Sequence, residues 1–70
     1  MRRNITVRAD FLENGTIVPL AYIDKQSKTQ RIDRVINSQA VGLNINKYVC
    51  RVNDRIIEIF FDTHAWFIEE

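Results

Sequence analysis

The sequence predicts an all-β protein, a small six-stranded antiparallel SH3-like or partly open barrel formed as a single domain over residues 1–70. Three observations lead there. Two dipeptides, Asn14-Gly15 and Asn53-Asp54, are tight-turn signals for hairpins. Apolar and polar residues alternate on both sides of each turn. The carboxyl-terminal run FFDTHAWFIEE carries the alternation into a further strand.

Counting outward from Asn14-Gly15 as a type I′ turn pairs Glu13 with Thr16. Phe11 then faces Val18, Ala9 faces Leu20 and Val7 faces Tyr22, which gives one apolar face extended by Ile5. Thr6, Arg8 and Asp10 fall on the other face with Pro19, Ala21 and Ile23. Pro19 has no N–H to donate to a ladder, so the second strand is expected to be an edge there or to carry a bulge. The same count from Asn53-Asp54 sets Val52 opposite Arg55, Cys50 opposite Ile57 and Tyr48 opposite Ile59. A four-residue loop, Asp62-Thr63-His64-Ala65, then brings Trp66 opposite Phe61 and Ile68 opposite Ile59. The strands expected are roughly 4–12, 16–24, 30–37, 46–53, 55–61 and 65–69.

The segment SKTQRIDRVINSQAVG supports two readings. Ser27 and Gln30 have capping-box spacing, Ile32, Val35, Ile36 and Ala40 recur at helical intervals, and Gly42 stands where a helix would stop. That reading gives an α+β fold, ββαβββ, with one helix near 28–41. The β-branched residues between Arg31 and Asn37 argue instead for a strand.

The pattern Asn14-Gly15, Ile17 to Leu20, Ile32 to Val35, Tyr48 to Arg51 and Trp66 to Glu69 resembles a family of small uncharacterised single-domain proteins of Firmicutes bacteria. The likeness spans nearly the whole chain through short motifs. It implies a compact β domain, which favours the strand over the helix, and it implies no activity. Where such relatives are expected to have a basic, Gly-rich loop, this chain has SQAVGLNIN, without a charge.

A chain of seventy residues buries only about 60% of the surface it exposes when unfolded, so tight packing or self-association must supplement a minimal core. Cys50 is the only cysteine and His64 the only histidine, which excludes an internal disulfide and an ordinary single-chain zinc site. The amino-terminal MRRNITVRAD has no apolar signal-like core and no apolar run approaches the length of a membrane span, so a cytoplasmic location is expected. The net charge of +1 hides an asymmetry: residues 1–55 hold all ten basic groups and five acids, whereas residues 56–70 hold four acids.

Few groups suggest chemistry. Cys50 falls on the inward face, where a thiol behaves as a small apolar group, and His64 stands in a polar turn. Asp62, Glu69 and Glu70 read as solvated charges at strand ends. Gly15 and Gly42, the only glycines, form no phosphate-binding pattern. No catalytic, cofactor or metal site is therefore expected. The expected function is that of a non-catalytic protein-interaction module binding another protein or a second copy of itself. Its surface would be an apolar patch of Val49, Ile56, Phe60 and Phe67, rimmed by Lys47, Glu58 and Glu69. The alternative is a nucleic-acid-binding barrel using Lys25, Lys28, Arg31, Arg34 and Arg51. Asp24, Asp33 and Asp54 dilute that basic cluster, and the pI of 7.9 is low for such a module.

Overall fold

The computed structural model describes residues 1–69. Eight strands and no helix occur among them: β1 (Arg2–Ile5), β2 (Val7–Phe11), β3 (Ile17–Ile23), β4 (Thr29–Arg31), β5 (Arg34–Gly42), β6 (Ile45–Val52), β7 (Arg55–Phe61) and β8 (Trp66–Glu69). Residues 28–41 are thus strand and turn, and the helical alternative does not hold. The six expected runs become eight strands because two of them break at corners, the first at Thr6 and the third at Ile32-Asp33. The strands form two antiparallel sheets, β1-β8-β7-β6-β5 and β2-β3-β4, which do not close into the expected barrel.

The corners keep their backbone groups satisfied as the chain passes between sheets. The Ile23 amide donates to the Thr6 carbonyl at 3.0 Å. At the other corner the Ile32 and Asp33 amides donate, each at 2.8 Å, to the carbonyls of Leu20 and Arg51, one in each sheet. The Asp33 carboxylate also accepts the Asn53 amide at 3.1 Å, tying this corner to the β6–β7 turn.

That turn is type I′, as expected, with φ of 49° at Asn53 and 64° at Asp54. The register follows: Val52 pairs with Arg55, Cys50 with Ile57 and Tyr48 with Ile59. Phe61 pairs with Trp66 and Phe60 with Phe67. The first hairpin departs from expectation. Only Gly15 has a left-handed φ, 88°. The Gly15 amide donates to the Leu12 carbonyl and the Leu12 amide to the Thr16 carbonyl, which makes a three-residue loop. Val7 still faces Tyr22, but a bulge leaves Leu20 without a partner on β2, so Ala9 faces Pro19 and Phe11 faces Ile17. Pro19 is consequently buried and Leu20 exposed, the reverse of the even alternation. The missing N–H of proline makes this the cheapest place in the strand to break the ladder.

The inward faces of the two sheets meet in one core. Tyr22 and Ile32 come from the small sheet and its corner, and Tyr48, Cys50, Val52, Ile59 and Trp66 from the large one. Trp66 stacks on Phe61 at 4.5 Å between ring centroids and lies 5.5 Å from Tyr48. Phe11 caps this aromatic row edge-on, 6.3 Å from Phe61.

Gly15→Ala is expected to destabilise the protein by about 1 kcal/mol, since the site is open and only the left-handed dihedral opposes a Cβ. Gly42→Ala, whose Cβ would meet Ile45 at an ordinary 3.7 Å, is expected to be neutral or slightly stabilising. Urea unfolding of both variants checks the contrast.

Candidate functional site

Directly opposite residues share a sheet face, so the outer face of the large sheet reads off its register. One row runs Asn4, Phe67, Phe60, Lys47, Gln39 across all five strands. The next holds Asn37, Val49 and Glu58, and the third Arg34, Arg51 and Ile56. The expected patch does occupy one face, but its members differ in access. Phe67 is only 2% exposed although it stands apart from the core cluster between the sheets. Phe60 stacks on it at 5.1 Å with 9° between the rings, and the Arg2 guanidinium carbon sits 3.8 Å from its centroid. Val49 and Phe60 are half-buried, and Ile56 alone is well exposed, at 57%.

The cover on Phe67 depends on β1, which pairs with β8 and sets Arg2 opposite Glu69. The sequence signal lay in "MRRNI", whose short charged stretch gives no sign of its partner strand. Arg2 also approaches Asp62 at 3.7 Å, and Lys47 meets Glu58 at 3.5 Å. Much of the charged rim is therefore paired locally. Glu70 lies outside the described residues.

The basic residues of the alternative reading are spread out. Lys25 and Lys28 stand in the β3–β4 turn and Arg31 on β4 opposite Ala21. Arg34 and Arg51 face each other on the large sheet, with Asp54 3.6 Å from Arg51. In the turn, Asp24 accepts the Lys28 and Gln26 amides and the Gln30 side-chain amide, at 2.7–2.9 Å. The bond from the Lys28 amide, followed by that from Gln30, holds its carboxyl below the usual value. Asp62 is held low in the same way by the amides of Ala65 and His64.

Cys50 and His64 are not brought together as a reactive pair. Cys50 lies in the core between Val35 and Ile57, and burial raises its thiol from 9.0 to about 11. His64 is exposed in the β7–β8 turn. Among the described residues no three His, Cys, Asp or Glu side chains gather as a metal site.

The feature missed in the sequence is the β5–β6 arm. The segment expected as the loop SQAVGLNIN instead extends both strands, which meet in a two-residue turn at Leu43-Asn44. Asn44 supplies the left-handed φ of 60° there. Every residue from Ile36 to Asn44 is exposed. Comparison with family models, curated proteins and solved structures gives no match to this chain.

Two predictions concern the cation over Phe67 and the buried thiol. Arg2→Ala should lower stability by about 0.5–1 kcal/mol, the range for a partly exposed cation over a ring, with Arg2→Lys retaining part of it in urea unfolding. For Cys50 the raised folded value means that its contribution is complete below pH 9 and lost as pH rises from 9.0 through about 11. Melting curves across that window should show a steeper fall for the native chain than for Cys50→Ala, and native protein should resist thiol alkylation until unfolded.

Proposed function

We propose that this protein is a non-catalytic interaction module that binds another polypeptide by adding a strand to the free edge of β5. One observation carries the reading: β5 ends the large sheet, spans nine residues and is exposed from Ile36 onward. An edge of that length presents a row of unpaired N–H and C=O groups, a template that main-chain hydrogen bonds can fill without a deep pocket. Ile36, Val41 and Leu43, exposed at 43%, 46% and 91%, add apolar contacts along and beyond it. The outer face with Ile56 borders the edge and would form the margin of such a contact.

Nucleic acid binding is a second reading, supported by the opposed pair Arg34 and Arg51, which sets two guanidinium groups on one face. Its binding would weaken with salt.

A photo-crosslinking residue placed at Gln39, and in a separate variant at Ile56, tests the two readings in cells. Polypeptide adducts through position 39 and few through 56 are expected. Adducts through neither position would remove the strand-addition reading. Salt-sensitive oligonucleotide binding by the purified chain, lost in Arg34→Glu and Arg51→Glu, would put the second reading in its place.

A further inference from the structure

Four strands terminate the two sheets, and three of them carry the usual protection against edge pairing. β1 has four residues, two of them Arg2 and Arg3. β2 bears Arg8 and Asp10 and is bent by the bulged ladder. β4 is three residues long and ends on Arg31. β5 alone is long and almost uncharged: from Val35 through Asn46 there is no Lys, Arg, Asp, Glu or Pro. Beside it runs a cleft of about 370 Å³ lined by Gly15, Thr16, Ile17, Ser38, Gln39 and Ala40, among others, also without charge.

We infer that the strand which fills this edge is the β5 of a second copy, laid antiparallel about a two-fold axis near Gln39, so that two five-stranded sheets become one of ten. The inference rests on the strand-addition reading above and names its partner. Self-pairing suits this strand because of where its single charge lies. With Gln39 on the axis, Asn37 meets Val41 of the second copy and Ile36 meets Gly42, so Arg34 lies beyond the paired segment. The two Arg34 side chains then stand about 33 Å apart at the rise of a strand. That is several times the screening length of about 8 Å at physiological salt, so the like charges do not oppose the contact. A parallel arrangement in register would set them side by side.

Surface area supports a missing neighbour. A compact monomer of 8.3 kDa exposes about 4,600 Å². This chain exposes 5040 Å², and the exposed arm of β5 and β6 is where a second copy would cover part of the excess. Such a two-fold contact is isologous and closes on itself, so it ends at a dimer instead of a fibre.

Sedimentation equilibrium of the full chain, from micromolar to millimolar, tests the inference. Twice the chain mass is expected. Gln39→Lys places like charges against each other on the axis and should give a monomer with the circular dichroism spectrum of the native chain. Gln39→Cys should form a disulfide-linked dimer under mild oxidation, a readout that buried Cys50 does not supply and that survives if the lysine variant fails to fold. A native chain that stays monomeric throughout overturns the inference. So does a dimer that Gln39→Lys leaves intact and Ile56→Glu disrupts. A monomer that still crosslinks to other polypeptides through position 39 would sink the dimer alone, whereas a monomer without such adducts would sink the strand-addition reading with it.

Discussion

Asn53 and Asp54 both hold left-handed dihedrals, and this pair of angles decides which side chains of the large sheet face inward. Because side chains alternate with a period of two, slipping the β6–β7 register by one residue would turn Tyr48, Cys50 and Val52 outward and Lys47, Val49 and Arg51 inward. The second arrangement would bury two unpaired cations, a cost of several kcal/mol each that so small a domain could not meet. Turn chemistry and burial therefore select the same register. The Asp33 carboxylate, bonded to the Asn53 amide, links that selection to the corner where the chain changes sheets.

The corners at Thr6 and at Ile32-Asp33 solve a problem of size. Two runs of the chain each serve both sheets, so that three strands can be laid over five with short connections and a core made of few side chains. Each bend is held by backbone hydrogen bonds across it, and Ile32 at one bend is itself part of the core. Such economy leaves the outer face of the large sheet without a covering layer. Phe67 escapes solvent there only because β1 returns beside β8 and lays the Arg2 guanidinium over its ring, while Phe60 closes its other flank. An arginine can do this because its planar head stacks on a ring while its edge stays in water.

What was legible in the sequence was local and periodic. Asn53-Asp54 announced its own turn type, counting outward from it recovered the pairs from Val52–Arg55 to Tyr48–Ile59, and the four-residue loop after Phe61 recovered Phe61–Trp66. Asn14-Gly15 announced a turn but not its length, since glycine in the left-handed region serves a three-residue loop as well as a two-residue one. A strict alternation then misplaced Leu20 and Pro19, because nothing local states that a bulge will absorb one residue. The pairing of β1 with β8 was out of reach for a different reason. It joins residues more than sixty positions apart, and "RRNI" has neither a turn beside it nor a clean alternation to align. For the same cause the burial of Phe67 could not be read from the sequence. The β5–β6 arm fell between these cases: Asn44 was a readable turn residue, but Ile36 and Val41 each stand where the register shifts, and those shifts disguise the two-residue period.

Edges bring these points together. A small two-sheet fold that does not close must end its sheets somewhere, and charge on the end strands is the common way to keep them apart from other chains. Here the positive charges lie on β1, β2 and β4, while β5, the longest strand, receives one arginine at its start. The register shift at Ile36 decides which of its residues face outward. Without the extra residue, Asn37 would point inward and Ser38 outward. With it, Ser38 joins Tyr48 on the inner side and Asn37 and Gln39 line the outer face. Beyond the shift both sides of the strand are small or neutral, and neither side chains nor backbone repel an incoming strand. A lysine is a common guard on such an edge. The absence of one over twelve consecutive residues, on the longest strand that ends a sheet, leaves that edge the least guarded by charge among the four.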